Sequence, residues 1–162
     1  MDKLNIGCGF EKKEGFINLD KSEYVNPDII CNIEDGIPFS DNYLDYIYSK
    51  NVLEHIKPDK WLFVLDEIYR IAKDGCILEF ILPFDNILVR NHYDHYRSFT
   101  WGTFKQLYSS HNRDYYGKIR IKNIKPEPSK IIQLFFYLFP ILKRSITFKF
   151  EIIKGCGMKE NE

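Results

Sequence analysis

The chain has 162 residues, 44% hydrophobic and 16% aromatic, which suits one domain with a sizeable core and excludes a disordered chain. Its four cysteines, Cys8, Cys31, Cys76 and Cys156, are far apart and form no C-x-x-C pair, so neither a zinc site nor a disulfide framework is expected, no metal is assigned, and a reducing cytoplasm is the simplest compartment. The net charge of zero conceals an asymmetry: residues 1–85 hold nine Lys/Arg against seventeen Asp/Glu, and residues 86–150 hold twelve against three, which suits a cationic ligand in the first half and an anionic substrate or membrane surface in the second, or two ordinary solvated faces.

Leu4-Asn5-Ile6 reads as a short buried strand entering the turn Gly7-Cys8-Gly9, after an apolar lead too short for a secretory leader. Phe16 to Leu19 is a second strand ending at Asp20, and Asp28 to Cys31 a third ending at Asn32-Ile33. Gly36, Pro38 and Asp41-Asn42 punctuate a turn-rich stretch before a fourth strand, Leu44 to Ser49. The best helix opens with Asp59 as N-cap, carries Trp61, Leu65, Ile68 and Ala72 as its apolar stripe, and closes at Gly75. Cys76 to Leu82 is an almost wholly apolar fifth strand stopped by Pro83. Strands that read as buried on both faces indicate a mostly parallel sheet in an α/β layer fold, with a ligand crevice beyond their carboxyl ends. Gly7 to Gly9, Asp20, Asn32, Ser49 to His55 and Pro83 to His95 all fall at those ends.

In order and spacing, "LNIGCG", "FINLD", "DIICNIEDGIPFSDNYLDYIYSKNVLEHI", "LDEIYRIAKDGCILEFILP" and "HYRSFTWGTFKQL" resemble class I S-adenosylmethionine-dependent methyltransferases. Within them the chain is most similar to a small type 11-like subgroup often associated with glycan biosynthesis. The resemblance runs from Leu4 to about Leu107, with a weaker echo in "ITFKFEIIK". It implies a Rossmann-like fold with helices on both faces, here in a minimal version with a shortened first helix. It also implies one domain over 1–162, with a cofactor half at 1–85 and an acceptor half at 86–162.

By this resemblance Gly7, Cys8 and Gly9 would let the backbone approach the methionine part of the cofactor, and Asp20 would accept hydrogen bonds from both ribose hydroxyls. Asn32 would face the adenine amino group where the family commonly has Asp, Ile33 would flank the ring, and Asn51 would lie near the sulfonium. Each also reads as an ordinary turn or loop residue. An NAD enzyme is disfavoured because Lys12 stands where the third glycine of G-x-G-x-x-G belongs. Nucleic-acid methylation is disfavoured because "SKNV" stands where D/N-P-P-Y/F would follow the fourth strand.

The sulfonium methyl is already activated, so a base is needed only if the acceptor must lose a proton, as an alcohol must. "NHYDHYRSFT" supplies the candidates: His95 as base, Asp94 as its partner, His92 beside them, and Arg97 for an anionic group on the substrate. The resemblance places a similar His-x-Arg element there; the alternative is a surface loop. Glu54, Trp61 and Tyr69 read as structural, His55 as either a helix-start or a site residue, and His111 has no context.

Farther on, Thr103 to Ser110 reads as a helix, and Ile119 to Ile124 and Thr147 to Ile153 as strands. The apolar stretch 131–142 is too short to span a membrane and is interrupted by Pro140. It reads as buried packing, as a lid over the acceptor, or, with Lys130, Lys143 and Arg144 at its flanks, as a peripheral membrane contact over 131–144. The expected function is methyl transfer from S-adenosyl-L-methionine to a small molecule or glycan, anionic or lipid-linked, with S-adenosyl-L-homocysteine as product and O-methylation preferred. The alternative is a methyltransferase-fold binding protein without activity. Homodimerisation is a further expectation, since a bare core gains a pocket wall from a second subunit. The short loop predicts weak, exposed cofactor binding.

Overall fold

The computed structural model describes residues 1–85, 92–108, 117–125, 127–139 and 145–154. Its strands are β1 (Lys3–Ile6), β2 (Ile17–Asp20), β3 (Ile29–Ile30), β4 (Leu44–Lys50), β5 (Ala72–Pro83), β6 (Ile121–Asn123) and β7 (Ser145–Ile152). Its helices are α1 (Trp61–Ile71), α2 (Lys105–Tyr108) and α3 (Lys130–Leu138). The strands form one sheet in the order β3-β2-β1-β4-β5-β7-β6. β1 to β5 are mutually parallel, and β7 runs antiparallel to both β5 and β6.

One face of the sheet is dry. Cys76, Leu78, Phe80 and Leu82 of β5 alternate with half-buried neighbours, as do Ile146, Phe148, Phe150 and Ile152 of β7, the period of two placing each set on one side. Leu4, Ile6 and Ile47 continue this layer across β1 and β4. α1 joins it through Val64, Leu65, Ile68 and Ile71. Phe104, 2% exposed, packs edge-on against Phe148 and Phe150 and lies beside Trp61, Phe80 and Phe99.

The other face carries Asn5, Asn18, Tyr46, Tyr48, Glu79 and Lys149. Of the helices expected on both faces, the described residues show them on the dry face only. The first connection, 7–16, holds turns and no helix, so even the shortened first helix is absent there. The connection 21–28 holds one 3-10 turn, Glu23–Val25. Side chains provide the missing cover: Phe16 meets Tyr46 edge-on, Lys13 lies 4.0 Å over the Tyr48 ring, and Lys149 pairs with Glu79 at 3.4 Å while lying over Tyr46. The aliphatic stems of these lysines shield the rings while their ammonium groups stay wet. Tyr46 hydrogen-bonds Glu79, and burial together with that bond pushes its phenol well above the usual range.

In place of a helix, two asparagines opposite one another in β1 and β2 hold the first connection. Asn18 Oδ1 accepts from Asn5 Nδ2 (2.9 Å) and from the Lys13 N–H (2.8 Å). Asn18 Nδ2 donates to Phe16 O (3.1 Å), Lys13 O (3.2 Å) and Asp28 Oδ2 (2.9 Å). The same Asp28 oxygen accepts the Asn18 N–H at 2.7 Å, and these bonds hold the Asp28 carboxyl below its usual range. Asn18→Ala leaves several of these backbone groups without a partner, so urea denaturation is expected to show a loss of about 2 kcal/mol. A loss below about 0.5 kcal/mol would mean that water serves the loop equally well.

Two expected boundaries move. Asp59 is not the N-cap: it lies in the 3-10 turn Pro58–Lys60, and Lys60 precedes α1 without a side-chain cap. Gly75 does not end α1: the helix stops at Ile71 because Ala72 already pairs with Leu44, and Gly75 lies inside β5. α2 and β6 fall within their expected spans, with 109–110 outside the described residues, whereas β7 begins two residues before the expected Thr147, at Ser145, because Ser145 and Ile146 already pair with Pro83 and Leu82. Pro140, Lys143, Arg144, His111 and Cys156 are also outside them, whereas Cys8, Cys31 and Cys76 are free thiols. Ser129 caps α3 by accepting the Ile132 N–H. Phe136 of α3 faces Trp101, while Ile131, Leu134, Phe135 and Leu138 are exposed, so the buried reading of this stretch does not hold over α3. No helix of the described residues is long and apolar enough to cross a membrane.

Candidate active site

A cavity of about 660 Å³ opens at the carboxyl ends of β1, β2, β3 and β4, within the size range of small-molecule sites. Gly7, Cys8, Gly9, Asp20, Asn32, Ile33 and Asn51 all line it. The Gly7 and Cys8 N–H groups donate to Leu19 O at 2.8 and 3.1 Å, folding the turn back onto β2. Gly7 has φ +65°, and a Cβ on it would stand 2.2 Å from Val52 Cγ2. Glycine is therefore needed both for the backbone conformation and for the space.

Asp20 closes the wall. Its Oδ2 accepts the Gly9 N–H and its Oδ1 the Ser22 N–H, each at 2.9 Å. A carboxylate offers about four acceptor positions, so each oxygen keeps one for a ligand hydroxyl. Asn32, by contrast, is engaged in its own loop: Oδ1 accepts the Glu34 N–H and Nδ2 donates to Asp35 Oδ2 at 2.9 Å. Ile33 is buried beside it. Asn51 adopts φ 54° and donates its N–H to Ile81 O at 2.9 Å, which places it at the end of β4 where the strand leaves the sheet. Burial, then the charge of Asp20, pushes the Cys8 thiol up, so it lines the cavity as a neutral group.

The short first connection adds lining residues that sequence patterning did not single out. Phe10 is 77% exposed at the mouth, edge-on to Tyr24. Lys50 pairs with Glu11 at 2.6 Å. Lys12, Lys13 and Lys21 also line the cavity beside Glu11, Asp20 and Glu34, so the acidity of the first half is not concentrated on its wall.

At the end of the cavity beyond Asn51 stands His55, beside the loop that carries His92 and His95. His55 Nδ1 lies 3.0 Å from the Asp94 carbonyl oxygen and 3.3 Å from Asp94 Oδ2. A carbonyl only accepts, so Nδ1 carries a hydrogen. The His95 ring meets His55 edge-on with centroids 4.9 Å apart, and His92 stacks on His95 at 4.6 Å. Burial, then the neighbouring imidazoles, push His95 down toward the neutral form. The Tyr96 N–H donates to Glu54 O at 2.8 Å and ties this loop to the 3-10 turn Leu53–His55. Glu54 is 1% exposed, and burial raises its carboxyl to about 7.

The structure thus gathers His92, Asp94 and His95 as the sequence suggests, but His55 is the one that lines the cavity. Arg97 stands elsewhere: its guanidinium lies 3.8 Å over the Trp61 ring, and it does not line the cavity.

Residues 4–80 match the family model described as "Methyltransferase domain". No curated protein matches the chain. Among solved structures, the chain is similar to a SAM-dependent methyltransferase from Archaeoglobus fulgidus, with 19% identity and a TM-score of 0.60 over 93% of this chain and 85% of that one. It is also similar to an S-adenosylmethionine-dependent methyltransferase from Mesorhizobium loti, with 13% identity and a TM-score of 0.55 over 93% and 90%. A third is the Haemonchus contortus phosphoethanolamine N-methyltransferase 2 in complex with S-adenosyl-L-methionine, with 14% identity and a TM-score of 0.54. This chain is covered over 95% there but spans about half, 48%, of that protein. The fold is the Rossmann-like fold of class I methyltransferases, with few helices.

Proposed function

We propose that the protein is an S-adenosylmethionine-dependent methyltransferase acting on a hydroxyl of a small molecule or glycan. The observation that carries this is Asp20, pinned at the end of β2 against the Gly7–Gly9 turn with ligand positions left on both oxygens, in a methyltransferase-type fold. The cofactor supplies an activated methyl, so the chain has to align the acceptor and exclude water.

Asp20 holds the ribose hydroxyls, the Gly7–Gly9 backbone receives the methionine part, Ile33 flanks the adenine and Asn51 borders the sulfonium. Because the Asn32 amide is committed to Glu34 and Asp35, only its spare acceptor capacity faces the adenine amino group. The acceptor enters between Asn51 and His55, and its proton is drawn toward the imidazole cluster of His55, His95 and His92 with Asp94. Arg97 would reach an anionic substrate group only by leaving Trp61. The exposed apolar residues of α3 suit a lipid-linked acceptor or a second subunit.

Calorimetry with S-adenosylmethionine and S-adenosylhomocysteine tests the reading. One ligand per chain with Kd on the order of 100 µM is expected, given a cavity walled by a helix-free loop. No heat at millimolar ligand would sink it. The helix-free connection 7–16 also favours a second reading, a binding protein without turnover, which saturable cofactor binding with no product across hydroxyl, amine and carboxylate acceptors would select.

A further inference from the structure

We propose that Glu54, His55 and His95 bind one divalent transition-metal ion of the zinc type at the acceptor end of the cavity, with Asp94 holding His55 in its liganding tautomer. The donor atoms of the three residues lie within 4.8 Å of one another. The ligand atoms of a tetrahedral zinc stand roughly 3.3 Å apart, so a small inward movement of side chains closes the set.

Two buried polar atoms of this group, Glu54 Oε2 and His95 Nδ1, have no hydrogen-bond partner among the described residues. Buried polar atoms are almost always paired, and each orphan costs stability. One cation bound through these two atoms would satisfy both together. The second argument is orientation. The Asp94 carbonyl and carboxylate both face His55 Nδ1, which leaves Nε2 as the donor, and such an outer-shell acceptor is the usual companion of a ligating histidine. Thirdly, the Tyr96–Glu54 backbone bond fixes the two segments against one another, so the set is assembled before any ion arrives.

The donors select the metal. Two imidazoles and one carboxylate suit zinc and its transition-metal neighbours, whereas magnesium and calcium prefer oxygen alone. Three protein ligands leave the fourth position open, as in catalytic zinc sites, and His55, one of the three, lines the cavity. The ion's role rests on the methyl transfer proposed above: with His55 and His95 occupied as ligands, it would take the acceptor oxygen and ease loss of the hydroxyl proton to water in place of those imidazoles, while the O–CH3 bond forms and the S–CH3 bond breaks with its electron pair left on sulfur.

The test is calorimetric titration of the chelator-treated full chain with ZnCl2, without cofactor, repeated for His95→Ala, Glu54→Gln and His55→Gln. The expected result is one zinc per chain with Kd near or below about 1 µM, weakened at least tenfold in each variant that still melts cooperatively. Cobalt(II) should give visible absorption from a nitrogen-containing site in the wild type that is lost in His95→Ala. Absence of stoichiometric zinc binding, or equal affinity in all folded variants, overturns the proposal. Cofactor titrations on the same metal-free samples separate the two readings: intact cofactor binding without zinc binding removes only the metal, and zinc binding without cofactor binding removes only the methyltransferase.

Discussion

Asp20→Ala is expected to weaken S-adenosylmethionine binding by about two to four orders of magnitude, read by calorimetry on protein whose melting is still cooperative. Two hydrogen bonds from ribose hydroxyls to a charged acceptor contribute roughly 1.5–3 kcal/mol each, and each 1.4 kcal/mol is tenfold. The substitution also frees the Gly9 and Ser22 N–H groups that now donate to this carboxylate at 2.9 Å, so the turn loses its anchor at the same time. Asp20→Asn should fall between, because one oxygen remains an acceptor while the other becomes a donor facing a backbone N–H. Binding of Asp20→Ala within threefold of wild type would mean that the ribose lies elsewhere.

Gly7→Ala is expected to destabilise the protein by about 2–4 kcal/mol in urea titration, and Gly9→Ala by only about 1 kcal/mol. Both positions have positive φ, +65° and +50°, so both variants bear the left-handed penalty. Only at Gly7 does the new methyl meet an obstacle, Val52 Cγ2 at 2.2 Å, whereas nothing lies within 4 Å of a Cβ on Gly9. In a Val52→Ala background the Gly7→Ala cost should therefore drop to about that of Gly9→Ala. Equal costs for the two glycines in the wild-type background would show that the turn yields without touching Val52.

Local patterns carried the strand reading a long way. Leu4 to Ile6 and Phe16 to Leu19 are short apolar runs between turn residues and lie within a residue of β1 and β2, and Cys76 to Leu82 falls inside β5, which begins four residues earlier at Ala72. The Gly7–Gly9 turn and Asp20 were legible because both sit at strand ends, where one-dimensional spacing translates directly into a position on the cavity rim. Helix coverage was less legible. The resemblance implied helices on both faces, and the six residues left between Gly9 and the second strand are too few for one. The cover they have comes from Phe16, Lys13 and the Asn5–Asn18 pair, none of which a helical pattern announces.

The sequence by itself determined where most strands lie along the chain, the glycine turn and the acid, since short apolar runs and turn chemistry act over a few neighbouring residues. The tertiary structure alone decided the rest. Ala72 pairs with Leu44 and so ends α1 early, Asn5 stands opposite Asn18, and Glu54 and His55 meet His95 from forty residues away. These depend on strand register and on the closing of a long loop, and free energies of that kind arise only when distant segments meet.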